Sequence, residues 1–247
     1  MRGVGSWGAV LLLFAAALGA QEGGDLQAQI LYAYQSEDAN ELANLVQKLG
    51  NQIETDGGDA ALRYHLAHAQ YRFGLLARQK RPKAAAPAFA DCIDELKRVL
   101  EQDVKSAEAL ALQSACYAEL AKERHLEAVL LRSRAEEKLH SAFEIAPRNP
   151  RVLYLMAMDE LSRSKPRSAE NQRAFAQLQQ AAQLFEQSSA TREDVPGWGH
   201  AEAYLALGTQ LEARGDVLGA RNWIEKSLIM APDYKAAQRQ LATLVRR

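Results

Sequence analysis

The stretch from Ala201 to Tyr234, AEAYLALGTQLEARGDVLGARNWIEKSLIMAPDY, constrains the fold of this chain more than any other. Tyr204, Leu207, Gly208 and Leu211 fall at i, i+3, i+4 and i+7, one face of a helix, and Gly208 has no side chain to hold a second helix away. Arg214-Gly215-Asp216 reads as a turn, with Gly215 where a helix C-terminus favours a left-handed residue. Ala220, Ile224, Ser227 and Leu228 then form the facing stripe of a return helix, small residues alternating with large so that two antiparallel helices interlock. Pro232 ends that helix, because it lacks the amide hydrogen and its ring clashes with the preceding turn. A hairpin of this kind cannot bury its apolar face alone, so it predicts neighbours of the same kind in a stack.

The neighbours are legible. Asp25–Tyr34 and Asp38–Ile53 read as a first helical hairpin, broken by Thr55-Asp56-Gly57-Gly58-Asp59. Ala60–Gln79 follows as a long helix, then Arg81-Pro82-Lys83 as a turn, then Ala84–Gln102, with Cys92, Leu96 and Val99 in the places of Ala220, Ile224 and Ser227. Ser106–Arg124 and Glu127–Ala146 form the next pair. Ala135, Leu139, Ala142 and Pro147 repeat the intervals of Ala220, Ile224, Ser227 and Pro232, two independent matches to one packing template. Pro147-Arg148-Asn149-Pro150 leads to a helix carrying Leu153, Met156 and Ala157, and Ser168–Ser188 returns with Ala174, Leu178, Ala181 and Phe185. A polar loop, Ser189–Trp198, precedes the last unit, and Tyr234–Val245 reads as a capping helix. The expected fold is therefore all-α, an α-solenoid of antiparallel helix pairs. Its organisation reads as a leader over 1–20, an N-terminal hairpin over 21–58, and helical repeats with a C-terminal cap over 59–247.

The leader is MRGVGSWGAVLLLFAAALGAQ: Arg2 in a short basic region, an apolar run from Ala9 to Leu18, and small residues at Ala17, Gly19 and Ala20. It reads as a secretory signal peptide cut after Gly19 or Ala20, its apolar core too short for the roughly 20 residues a membrane helix needs. The expectation is a soluble exported protein, periplasmic or secreted, with no cysteine at the cleavage site to carry a lipid. A formal charge of −1 and a pI of about 6.5 give no footprint for nucleic acid or an anionic membrane.

The residues at 201–234 resemble the tetratricopeptide repeat, whose pattern places W-x₂-L-G-x₂-Y, A-x₃-F and P over about 34 residues. Tyr204, Leu207, Gly208, Leu211, Ala220, Ile224 and Pro232 occupy those places, and the chain is similar to exported bacterial tetratricopeptide repeat proteins over its mature length. Gln113 stands where a Leu is usual, and Ser114 and Ala157 replace the first-helix glycine, departures that bear on register and curvature. The resemblance implies a non-enzymatic protein-interaction module or scaffold, binding a protein or peptide in a concave groove lined by the first helix of each pair. By register that groove comprises His65, Arg72 and Phe73, then Glu108, then Arg151, Tyr154 and Met158, then Glu202 and Leu205, with Leu62, Ala69, Ala111, Ala115 and Thr209 beside them. The alternative is a small-molecule receptor or an accessory component of a transporter.

Other constellations carry less. His65 and His68, i and i+3 on one helix, lack the third and fourth ligands a closed metal site needs. His125, His140 and His200 read as isolated, partly exposed helix-end residues. There is no G-x-S-x-G elbow, no locally supported Cys/His pair and no phosphate-binding loop, so neither catalytic residues nor a cofactor are expected. The basic run Arg78-Gln79-Lys80-Arg81-Pro82-Lys83 reads as an exposed loop, or as a patch for an acidic partner. Cys92 and Cys116, the only cysteines, leave two readings open. They form a bridge stapling adjacent repeats, as export permits, or they are two small buried apolar residues.

Overall fold

The computed structural model of the chain describes residues 26–189 and 197–246, and the expected leader lies outside them. Helix α1 spans 26–35. It is followed by α2 (Ala39–Asp56), α3 (Ala60–Lys80), α4 (Pro82–Gln102), α5 (Ala107–Glu123), α6 (Ala128–Ile145), α7 (Pro150–Arg163), α8 (Ala169–Ser189), α9 (His200–Ala213), α10 (Val217–Met230) and α11 (Lys235–Val245). A 3-10 turn, His125–Glu127, stands before α6. No strand occurs among the described residues, and none of their helices is long and apolar enough to cross a membrane.

Short polar residues set the helix starts. The Asp38 carboxylate accepts from the amides of Asn40 and Glu41, Asp59 from Leu62, Asn149 from Arg151 and Val152, and Asp216 from Gly219. Pro82 and Pro150 occupy first-turn positions, where the missing amide hydrogen is no loss. The break between α3 and α4 is consequently Arg81 alone rather than the expected Arg81-Pro82-Lys83, because Pro82 already belongs to the second helix.

Helices pack as consecutive antiparallel pairs, α3 on α4, α5 on α6, α7 on α8 and α9 on α10. The template residues Ala220, Ile224, Ser227, Ala135, Leu139, Ala142, Cys92, Leu96 and Val99 are all buried. At Gly208 two helices touch closely. A Cβ there would lie 2.5 Å from Ile224 Cγ1 and 2.9 Å from the Ala220 carbonyl oxygen. Gly74 does the same for α3 and α4, a Cβ falling 2.6 Å from Phe89 Cε1. Polar ties cross the seams too: Ser227 Oγ donates to the Ala201 carbonyl at 2.8 Å between α10 and α9, and Gln113 Nε2 to the Ile93 carbonyl at 3.2 Å between α5 and α4. The second tie accounts for a buried Gln where the repeat carries Leu. A Cys92–Cys116 disulfide, Cα atoms 6.4 Å apart, joins α4 to α5 beside it.

The stack does not stay open. In a solenoid each repeat contacts its neighbours, yet here the first and last pairs meet across the interior. The Tyr34 and Tyr234 rings lie 6.4 Å apart, Arg239 forms an ion pair with Glu37, and Arg72 of α3 reaches Glu202 of α9 at 2.7 Å. The superhelix closes on itself, and the continuous groove expected from the repeat pattern becomes an interior.

Candidate functional site

Trp198 fills one end of that interior. The sequence suggests the end of a polar loop, but the side chain is 1% exposed, and the chain on either side allows it to go in. A Cβ at Gly197 would fall 2.0 Å from an Arg151 guanidinium nitrogen. Gly199 has φ +97° and its Cβ would fall 2.8 Å from the Phe185 ring. Glycine is the residue that allows both the close approach and the left-handed backbone. Trp198 Nε1–H donates to Tyr64 Oη at 2.9 Å, Arg151 Nε donates to the Trp198 carbonyl at 3.0 Å, and the His68 ring lies 5.3 Å from the indole. Two helices, α3 and α7, thus meet on Trp198.

Arg72 stands beside it, 3% exposed. Its Nη2 donates to Glu202 Oε1 at 2.7 Å, and the other Glu202 oxygen accepts from the Gly199 amide at 3.0 Å. Its Nε donates to His68 Nε2 at 3.0 Å, which requires an imidazole that is neutral and protonated on Nδ1. Burial, and then the adjacent Arg72 charge, push the His68 pKa well below the usual value and keep it neutral. The guanidinium carbon lies 4.4 Å from the centroid of the Tyr34 ring and 5.7 Å from that of Trp198. Burial opposes the Arg72 charge, but Glu202 and the phenols of Tyr34, Tyr71 and Tyr154 hold its pKa above the ordinary arginine value. Burial raises the pKa of Tyr34, Tyr71 and Tyr154 in turn, so they remain neutral phenols.

Beyond this cluster a cavity of about 690 Å³ remains. Its inner end is made by Trp198, Arg72 and Tyr34, its walls by residues of α3, α5, α6 and α7. Leu75, Ala115, Ala118, Leu155 and Met158 give the walls an apolar character, and charged residues ring the mouth. Because the buried cluster closes the inner end, the cavity is a cup rather than a channel.

The groove residues expected from register divide among several places. Arg72, Tyr154 and Met158 line the cup. Glu202 lies behind it as the partner of Arg72. Glu108 and Arg151 pair with each other at 2.7 Å, with Asn149 Nδ2 donating to the same Glu108 oxygen, and together hold the Trp198 backbone. His65 is half-buried against Tyr64, Phe73 packs between neighbouring apolar clusters, and Leu205 is packed into the cluster that includes Tyr234 and Ala237 of the C-terminal cap. None of these last three lines the cup.

Two further expectations change. His200 is buried rather than partly exposed, stacked on Phe185 with ring centroids 5.2 Å apart and edge-on to Tyr204. The basic run is largely engaged within the chain. Arg78 pairs with Glu119 and Glu123, Lys80 donates to the Glu37 carbonyl, and Arg81 donates to Asn40. The sequence reading missed Trp198 and Tyr71, and the one signal for Trp198 was its position between two glycines.

Comparison with solved structures identifies the architecture. A thermophilic tetratricopeptide repeat protein of Thermus thermophilus superposes with a TM-score of 0.63 at 17% identity, covering 92% of this chain and 99% of that one. The fold is that of the tetratricopeptide repeat solenoids. The Cut9 chain of the APC/C hetero-tetramer Cut9-Hcn1 is a more distant match, with a TM-score of 0.40 at 14% identity, covering 87% of this chain and 41% of that one. No protein-family model matches the sequence, and no curated protein matches it significantly. The tetratricopeptide fold therefore rests on three-dimensional likeness together with the register at 201–234.

Proposed function

We propose that this chain is a non-enzymatic binding protein, an interaction module or scaffold acting in the periplasm or after secretion, and that it engages its partner through the cup and its charged mouth. The observation that carries this reading is the cup itself, an apolar recess with Tyr71, Tyr154 and Met158 on its walls and ionic groups at its rim. That is the pattern of a recognition surface with an apolar centre and a polar edge. The acidic side chains that line it, Glu119, Glu136 and Asp159, are held in ion pairs, an arrangement suited to framing a partner rather than to moving protons. Support for export comes from the composition of residues 1–20 and from the Cys92–Cys116 bridge, which suits an oxidising compartment.

The test is capture of a partner from periplasmic extract by the wild-type chain and by a Tyr154→Ala, Met158→Glu variant. A partner retained by the first and lost by the second supports the reading, and equal retention removes the cup from it. N-terminal sequencing of the exported chain is expected to start at Ala20 or Gln21. A start at Met1 would contradict export by cleavage.

A second reading, a small-molecule receptor or an accessory component of a transporter, is favoured by one observation. The cup is closed at its inner end and its volume falls within the roughly 300–1,000 Å³ of small-ligand sites. A metabolite that raises the melting temperature without any protein partner would support it.

A further inference from the structure

Of the four cations that line the cup, three are held by carboxylates. Arg72 is held by Glu202, Lys122 by Glu119, and Arg163 by Glu136 and Asp159. Arg132, an exposed residue of α6 that also lines the cup, has neither an ion pair nor a hydrogen bond among the described residues. Leu155, Met158, Ala115, Ala118 and Ala135 line the same cup and give the body of an occupant apolar surface to cover. The aromatic cradle that would favour a cation is already taken. The aromatic faces of Tyr34 and Trp198, which would cradle an ammonium group, already hold the Arg72 guanidinium at 4.4 and 5.7 Å. An extended polypeptide cannot pass through, because Trp198 and the Arg72–Glu202 pair close the far end.

We propose that the cup binds a small amphiphilic monoanion, an alkyl or arylalkyl monocarboxylate, with its carboxylate at Arg132 and its apolar body along Leu155 and Met158 toward Tyr154. The proposal rests on the reading of the cup as a binding site and names the chemistry of what enters it. The apolar body supplies most of the binding free energy by leaving water. Arg132, being exposed, supplies orientation and a salt-sensitive contribution rather than the bulk of affinity.

Titration calorimetry on the mature chain tests it, with decanoate, decyltrimethylammonium and decan-1-ol as probes below their micelle thresholds. Decanoate is expected to bind one per chain. Arg132→Gln should weaken it about fivefold, as for a partly exposed charge pair, while leaving decan-1-ol unchanged. Decyltrimethylammonium should bind more weakly than decanoate to the wild type, and Met158→Trp, which fills the cup from a half-exposed position, should weaken decanoate and decan-1-ol together. The proposal is overturned if decanoate does not bind, if the cationic probe binds as well as the anionic one, or if Arg132→Gln leaves decanoate affinity unchanged. Where one of these occurs and Met158→Trp still abolishes capture of a protein partner, the cup stands as the binding site and the ligand class alone is wrong. Where Met158→Trp alters neither, both fail.

Discussion

Arg72 and Glu202, 130 residues apart in sequence, meet at 2.7 Å with each side chain only 4% exposed. This pair ties the α3–α4 unit to the α9–α10 unit and turns a row of helical repeats into a closed body. Desolvating both charges costs several kcal/mol, offset by their attraction and by the bonds to His68 and the Gly199 amide. Removing one partner leaves the other charge buried alone. Arg72→Met and Glu202→Met should each lower stability by about 3–5 kcal/mol, and the double Met variant should be less destabilised than either single. Urea unfolding checks this, and single variants that lose less than about 1 kcal/mol would contradict the pairing.

The same cluster makes stability fall in acid. His68, His65 and His200 all have pKa values lowered by burial from the ordinary 6.5. Below that value the unfolded chain binds more protons than the folded one, so stability rises with pH through this window and is lost as pH falls below about 6.5. The expected result is a melting temperature that drops between about pH 7.5 and about pH 5.5, with a shallower drop in His68→Gln. A melting temperature that rises over the same interval would contradict a neutral, buried His68.

Close helix approach makes Gly208 irreplaceable in a way that Ala157, in the corresponding place of an earlier repeat, is not. Gly208→Ala should cost about 1–3 kcal/mol, because the new methyl meets the Ala220 backbone as well as a movable side chain. Calorimetric melting of this variant beside Ala157→Gly distinguishes the sites, since Ala157 is already fully buried. Equal, small effects would show that the α9–α10 seam is looser than described.

The Cys92–Cys116 bridge closes a loop of sequence separation 24. A loop of this size stabilises by about 3 kcal/mol through the unfolded chain. Thiol titration of the unfolded protein without reductant should find no free thiol, and a Cys92→Ala, Cys116→Ala variant should melt at lower temperature. Two free thiols would end this account of the bridge.

Local rules fixed much of this fold in advance. The breaks at Thr55–Asp59, Pro147–Pro150 and Arg214–Asp216 were legible, while the capping bonds of Asp59, Asn149 and Asp216 within them came from the structure, and the buried faces of α6, α8 and α10 followed from one repeated spacing. Ring closure was not legible, because Tyr34–Tyr234, Arg239–Glu37 and Arg72–Glu202 are contacts between distant repeats and no local pattern encodes them. That is why register placed Arg72, Glu202, Arg151 and Glu108 on an open groove. Inside a closed superhelix, first-helix residues of opposite charge face each other and pair. Arg132 escaped notice for a related reason. It sits on a second helix, whose residues line the interior only when curvature is tight.

Closure of the superhelix underlies the cup, the central Arg72 cluster and the proposed ligand, and cross-linking tests it most directly. A Glu37→Cys, Arg239→Cys variant, treated with a short bismaleimide at a concentration where the chain is monomeric, is expected to give one intramolecular cross-link in high yield. Tryptic mapping should place it between the α1–α2 turn and α11. Modification of both cysteines without a cross-link, or cross-links only between chains, would mean that the ends of the solenoid stand apart and that the cup does not exist as described.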